Sequence, residues 1–373
     1  MGEAAYNARS ANFISRDYRQ TLIDRYTLFL QHIESFEKQA LSEADRMNLG
    51  VMRWDSEIKK QGLENPLVTV ASPMYDIPNF QLMPIAQITS YHLYVSQLGS
   101  GISIQPFNSV ADYDNWLQRV DGYLLWLETA QDNFRAGMTK GWVWPRVLVE
   151  RVMEQFEQLI TEDLDEHLYY GPIRRMPAEF PAAEKQRLSR AYRALALDRI
   201  NPAHREMVAF LRREYLPRAG NHTGLGALPN GAETYHYLIR YHTTKNMTAE
   251  EIHALGKQEV KRIAAEMEAV KNKVGFEGDL RAFFDHVRNN DELMPFTRPQ
   301  QVISHFEAIA ATVAPNIDKQ FAARPRADFV IRRTEAFREH SAAAEYLPGS
   351  KDGERAGIFY VPVPDARRHN VYA

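Results

Sequence analysis

SVADYDNWLQRVDGYLLWLETAQDNFRAGM, residues 109–138, decides how the rest of the chain is read. Tyr113, Trp116, Val120, Tyr123, Leu127, Phe134 and Met138 recur at spacings of three and four with one gap. That spacing lines one side of a 3.6-residue helix, so the stretch predicts a long helix facing a core. Ser109 and Asp112 stand where a capping box needs its first and fourth residues, with Asp in the Glu position, which places the helix start. A chain built around such a helix is expected to be mainly α.

The same grammar extends in both directions. Residues 16–40 predict a first helix, and Ser42-Glu43-Ala44-Asp45 opens a second. Residues 62–83 are interrupted by Pro66, Pro73 and Pro78 and read as a long connection. A helix over about 84–97 stops at Gly99-Ser100-Gly101. After a turn at Gly141-Trp142-Val143-Trp144, Pro145 suits a first helical position, and Val149, Val152 and Phe156 point inward. Residues from about 182 to 217 are helical, with an interruption or a kink expected at Asn201-Pro202.

A glycine-rich loop spans Gly220 to Gly231. Thr248-Ala249-Glu250-Glu251 then opens a helix whose face carries Ile252, Val260, Ile263, Met267, Val270 and Val274. Gly256 falls on that stripe, and an interior Gly costs about 1 kcal/mol against Ala. Close approach of another backbone is its expected reason. Gly275-Phe276 reads as a Schellman-type stop. Val302, Phe306, Ile309, Val313 and Ile317 predict one more helix, bent or ended near Pro315.

β character appears only after Pro325. Asp328–Arg333 is one strand candidate. Gly357-Ile358-Phe359-Tyr360-Val361 is the other, after the turn-rich Tyr346–Asp352. Pro362 and Pro364 remove two N–H donors just beyond it, which predicts a sheet edge or a bulge there. The expected architecture is therefore a mainly α, multi-helix, two-lobed body around a groove, with a small β-sheet near the C-terminus. Its expected regions are a helical 1–140, a helical 141–324 and a strand-containing 325–373.

Composition narrows the functional classes. A net charge of -3 favours neither a nucleic-acid partner nor an anionic membrane. No window reaches the roughly 18 consecutive apolar residues of a membrane span. Met1-Gly2-Glu3-Ala4-Ala5-Tyr6 lacks the basic and apolar regions of a signal peptide. The absence of cysteine removes disulfides, thiolate metal sites and a Cys nucleophile.

No Gly-x-Ser-x-Gly, Walker loop, dinucleotide fingerprint or His-Glu-x-x-His occurs. Two Glu-x-x-His pairs do, Glu233 with His236 and Glu250 with His253. Such pairs serve di-iron bundles, but Glu250 is equally explained by the dipole of a helix's first turn. Trp142 and Trp144 read as packing residues. Arg324, Arg326, Arg332, Arg333 and Arg338 read as a solvated strand face, with a carboxylate anchor as the lesser reading. Asn221-His222-Thr223-Gly224 is a polar loop between helices, in which a turn and a substrate contact both remain open.

Four motifs carry a family resemblance: Gly141-x-x-x-Pro145-Arg146-Val147-x-Val149-Glu150; Leu228-Pro229-Asn230-Gly231 with Tyr235 and Arg240-Tyr241-His242-Thr243-Thr244; Thr248-x-Glu250-Glu251-Ile252-His253-x-Leu255-Gly256-x-x-Glu259-Val260; and Tyr346 to Val361. Together they resemble the bacterial domain-of-unknown-function family 885 over residues 140–373. Members of that family resemble gluzincin-type zinc peptidases, with a His-Glu-x-x-Pro-Gly-His-His helix soon after the Gly-x-Phe-Tyr-Val strand. This sequence closes at Arg367-Arg368-His369-Asn370-Val371-Tyr372-Ala373 without that helix.

The resemblance implies the scaffold and substrate-groove portion of a zinc-dependent peptidase-like protein, catalytically incomplete as given. Zinc is expected only in a longer protein, and no catalytic or metal-binding residue is carried over. The alternative is a non-catalytic helical protein that binds peptides or a partner. Whether the chain is an enzyme stays open. Gly357, Phe359 and Tyr360 are the expected substrate-contacting residues, with a peptide paired along the strand and either Phe359 or Tyr360 facing the cleft. Asn221 and His222 complete the candidate set. A cell-envelope location follows from the resemblance alone. Self-association is expected through whatever apolar surface the absent part leaves.

Overall fold

The computed structural model describes residues 6–36, 39–65, 68–69, 78–88, 90–322, 324–336, 338–340 and 342–371. Pro66 and Pro73, Met1–Ala5, and Tyr372 with Ala373 lie outside these residues. The elements run α1 (Arg16–Phe36), α2 (Glu43–Glu64), β1 (Val68–Thr69), β2 (Asn79–Phe80), α3 (Tyr91–Gly99), α4 (Val110–Thr139), α5 (Arg146–Gln158) and α6 (Gly171–Arg174). They continue as α7 (Ala182–Ala194), α8 (Asn201–Phe210), α9 (Gly231–Thr243), α10 (Ala249–Lys273), α11 (Leu280–Arg288), α12 (Pro299–Val313), β3 (Phe329–Arg333), β4 (Glu345–Leu347) and β5 (Gly357–Val361). The chain is mainly α with a three-stranded sheet near the C-terminus. It divides into two compact units, residues 5–249 and 250–373.

The first unit is organised around α4. Ser109 accepts from the Asp112 N–H and the Asp112 carboxylate accepts from the Ser109 N–H, completing the capping box. Tyr113, Trp116, Val120, Tyr123, Leu127 and Phe134 are all buried, and Met138 packs partly buried against the same cluster. Trp126 joins them, its ring tilted against those of Tyr91 and Phe13. Aromatic rings bury large apolar areas and tile edge to face, so this helix contributes a disproportionate share of the core. The helix expected at 84–97 begins only at Tyr91, with Ser90 before it. Pro145 precedes α5 rather than occupying its first turn, because its extended ψ of 140° places it outside the helix.

The stretch 182–218 is continuous rather than sharply broken. π-helical turns occupy Leu195–Ile200 and Leu211–Tyr215, where the Asn201 N–H reaches the Ala196 carbonyl and the Leu216 N–H reaches that of Leu211. Each lies just ahead of a proline, Pro202 or Pro217. A proline ring collides with the carbonyl four residues back and donates no N–H. Widening the preceding turn makes room for it.

α2 and α9 meet through Ile58, Tyr237 and Val68. The Tyr237 hydroxyl donates to the Ile58 carbonyl at 3.0 Å and lies over Gly62, where a Cβ would stand 2.2 Å from it.

In the second unit β5 is the central strand of the order β3-β5-β4, parallel to β3 and antiparallel to β4. This corrects the expected sheet edge. Pro362 and Pro364 fall after the last paired residue, Val361, so they cost the ladder nothing. α12 covers one face, with Val302 and Ile303 packed on Val361, Val363 and Ala366. α10 ends as expected. Gly275 takes φ 72°, and the Phe276 N–H bonds the Lys271 carbonyl at 3.2 Å. No described part of this chain supplies the close approach expected at Gly256, where a Cβ would meet nothing within 4 Å.

Candidate functional site

The strand Gly357–Val361 presents different chemistry on its two faces. Gly357 and Phe359 share a face with their register partners Phe329, Ile331 and Tyr346. The Tyr346 ring lies across Gly357, so a Cβ at Gly357 would stand 2.3 Å from the Tyr346 hydroxyl. Tyr346 and Phe329 are 49% and 48% exposed and meet edge to face with centroids 6.5 Å apart. Phe359 is half-buried beside Phe306 of α12 at 6.0 Å. Gly357 thus serves as the floor of a partly open aromatic shelf, and Phe359 is its inner wall.

Tyr360 points the other way. It is 1% exposed, with the Arg338 guanidinium 5.0 Å from its ring centre. Of the two alternatives for a cleft-facing residue, only Phe359 keeps a partly open side chain. Backbone pairing of a peptide to β5 is closed on both sides, because β3 and β4 already take its hydrogen bonds.

An ionic cluster backs the buried face. Arg338 pairs with Glu335 at 2.6 Å and with Glu345 at 2.5 Å. Arg333 forks onto Glu339 with two bonds of 2.7 Å, and the Val363 N–H donates to the same carboxylate at 2.7 Å. Burial alone would raise the Glu339 carboxyl, but these donors outweigh it and hold it below the usual carboxylate range. The arginines read as a solvated face therefore differ among themselves. Arg333 and Arg338 clamp the sheet to the segment after β3, and Arg324 pairs with Asp318. Glu335, Glu339 and Thr334 are each at most 6% exposed. Sequence reading passed over them because they lie in an aperiodic connection. The only available signal was acidic residues at 335, 339 and 345 interleaved with Arg333 and Arg338.

The loop with Asn221 and His222 belongs to the other unit. Asn221 is exposed, and the His222 ring packs over Gly220, where a Cβ would lie 2.3 Å from it. Gly220 bridges to Pro145, accepts from the Arg146 N–H at 2.8 Å and donates to the Trp144 carbonyl at 3.1 Å. Trp142 donates to the Pro229 carbonyl, and Trp144 packs on Phe80. The two tryptophans pack within this unit and pin the loop to the start of α5.

Deeper in the same unit lies a polar network with no counterpart in the sequence reading. His92 bonds Ser90 and Gln155, His204 meets the Tyr123 hydroxyl at 2.8 Å, and His167 meets Asn201. Ser96 and Tyr169 join through their hydroxyls at 2.9 Å. Burial pushes His92 and His204 down to about 3 and Tyr169 up. The histidines are therefore neutral at ordinary pH and act as hydrogen-bonding core residues.

Glu233 and His236 are exposed on α9, and Glu250 and His253 are exposed on α10 in the second unit. Among the described residues no three His, Asp or Glu side chains come together with metal-ligating geometry. The described residues therefore form no zinc or di-iron centre, and no metal-dependent step is derived from them. His369 bonds the Pro362 carbonyl at 2.9 Å. No helix among the described residues is long and apolar enough to cross a membrane.

Comparison with known proteins places this geometry. No curated protein matches the chain. The crystal structure of a candidate lipoprotein from Colwellia psychrerythraea superposes with a TM-score of 0.83 at 15% sequence identity, which shows a shared fold. The match covers 97% of this chain and 62% of the Colwellia chain, so this chain spans less than two thirds of that protein's length. The family model described as "Bacterial protein of unknown function (DUF885)" matches residues 1–373, and the chain belongs to that family.

Proposed function

We propose that this chain is the scaffold and peptide-groove portion of a zinc-dependent peptidase-like protein of the cell envelope, whose metal-holding segment lies beyond residue 373. The observation that carries the reading is the asymmetry of the structural match. Almost all of this chain is used, and over a third of the Colwellia protein is left over. The resemblance to gluzincin-like relatives names the chemistry that such a further segment would supply, a metal-bound water activated for hydrolysis.

In this reading the shelf of Phe329, Tyr346, Gly357 and Phe359 contacts apolar side chains of a peptide. Aromatic faces that are half open bind such groups without prior rearrangement. Asn221 and His222 are a separate candidate polar contact within residues 5–249. The envelope location draws on the candidate-lipoprotein neighbour.

The test compares two proteins. One is residues 1–373, and the other is the gene product translated past codon 373 to its own stop. The shorter chain is expected to cleave no peptide. The longer one is expected to cleave peptides in a way that a chelator abolishes and zinc restores. Chelator-sensitive cleavage by residues 1–373 would overturn the reading. A longer chain that binds peptides through the shelf but never cleaves them favours the non-catalytic binding protein.

A further inference from the structure

α10 is the least explained element of the molecule. Its 25 residues form a regular helix, yet Lys271 is the one buried residue on it among those described. Leu255, Val260, Ile263, Met267, Val270 and Val274 are between 39% and 68% exposed. These positions, with Ile252, fall within one side of the helix. From Ile252 to Val274 the stripe runs about 33 Å, the length of a 22-residue helix. Gly256 lies on the stripe near its N-terminal end with open space above it. A monomeric protein rarely leaves a contiguous apolar strip of this length in water.

We propose that this stripe is the seat of an amphipathic helix from the segment by which the longer fold exceeds this chain. This rests on the functional reading above. Three observations favour that occupant. The first is length, since over a third of the matched neighbour's chain lies outside the match and has to pack somewhere. The second is where the described chain ends. Val371 is held in the same unit as α10, its N–H on the Leu293 carbonyl at 3.0 Å and its carbonyl on His305 at 2.9 Å. The third is charge. α10 carries five acidic and five basic residues, Glu250, Glu251, Glu259, Glu266 and Glu268 against Lys257, Lys261, Arg262, Lys271 and Lys273. An anionic lipid surface selects a basic polar face, whereas a mixed one suits a protein helix with charges of both signs. Gly256 then has its use, because it lets the incoming backbone approach closely near the N-terminal end of the contact.

The test uses hydrogen exchange on residues 1–373 and on the product translated past codon 373. In the longer protein the α10 amides are expected to exchange at least about tenfold more slowly than in the shorter one. The hydrophobic dye ANS is expected to bind the shorter chain more strongly. The double variant Val260→Glu, Met267→Glu should remove that protection in the longer protein, while Ala265→Glu on the opposite side of the helix should keep it. Equal exchange in both chains overturns the proposal. So does protection in residues 1–373 that grows with protein concentration, which would make the occupant a second copy. A reading frame that closes at codon 373 overturns it as well. Peptidase assays run in parallel separate the two ideas. An active longer chain with unprotected α10 refutes the docking site alone. An inactive one with protected α10 refutes only the enzymatic reading.

Discussion

α4 and α10 are both long amphipathic helices, and they meet opposite fates. On α4 the apolar stripe is buried from Tyr113 to Phe134 among the rings of Tyr91, Phe210 and Tyr192. On α10 a stripe of similar period stands in the open. The difference teaches that periodicity states which side of a helix gains from burial and is silent on whether a partner is present. It also separates two ways of holding a unit together. Residues 5–249 enclose a large aromatic core. The sheet region of residues 250–373 encloses a small cluster of Val302, Ile303, Val361, Val363 and Ala366, backed by the Arg333, Arg338 and glutamate pairs.

The contrast can be broken most directly at Trp126. Trp126→Ala should cost about 3–5 kcal/mol in urea unfolding followed by circular dichroism, because the cavity sits in a core that cannot collapse. Val260→Ala on α10 of the 373-residue chain should stay within about 0.5 kcal/mol. Equal losses would erase the distinction. Next in size, Arg338→Met should destabilise the sheet region by about 3 kcal/mol, since it strands Glu335 without its ion pair in a buried position. Exchange protection of the β5 amides is the readout, and protection unchanged there would mean that the apolar cluster suffices.

Acid sharpens the comparison from another side. His92 and His204 have folded-state values near 3, well below the ordinary 6.5. As pH falls through 6.5 the unfolded chain takes up protons that the native core refuses. Stability of residues 5–249 should therefore be full above about pH 7 and fall below it, by up to about 1.4 kcal/mol per pH unit for each ring. Thermal melts of wild type and His204→Gln between pH 7 and 5 check this, and the variant should show the shallower slope. The smallest effects are paired glycines. Gly62→Ala drives a methyl into the Tyr237 hydroxyl and should cost about 1–3 kcal/mol. Gly256→Ala meets nothing and should stabilise the 373-residue chain by up to about 1 kcal/mol. A loss at Gly256 would mean that its backbone is already in contact.

Much of this was legible in the residues. The capping pairs Ser42 with Asp45 and Ser109 with Asp112, the stripe of α4, the stop at Gly275 and both long strands stand where local spacing and turn chemistry put them. The edge assignment of β5 failed for a physical reason. Two prolines after a strand limit only the residues that carry them, and the pairing of 357–361 is settled by β3, more than twenty residues away. Of the candidate residues, Gly357 and Phe359 share a face, Tyr360 lies behind it, and Asn221 and His222 are in the other unit. The histidine network was invisible because its members come from α3, α8 and the turn before α6, and no short spacing links them. The ionic cluster escaped for the same reason.

The two widened turns before Pro202 and Pro217 have a further consequence. Leu188 and Tyr215 are both fully buried, yet they are 27 residues apart, about 7.5 turns of an ideal helix, which would place them on opposite sides. Each π turn absorbs one residue without advancing the face, and the remaining 25 amount to about 6.9 turns, which restores them to the same side. The prolines and the widened turns together act as a phase correction of about 100° per step. Deleting a single residue from 195–200 would therefore restore an α turn there and leave Tyr215 on the buried side, whereas deleting one from the regular stretch 189–194 would turn Tyr215 about 100° away from the core.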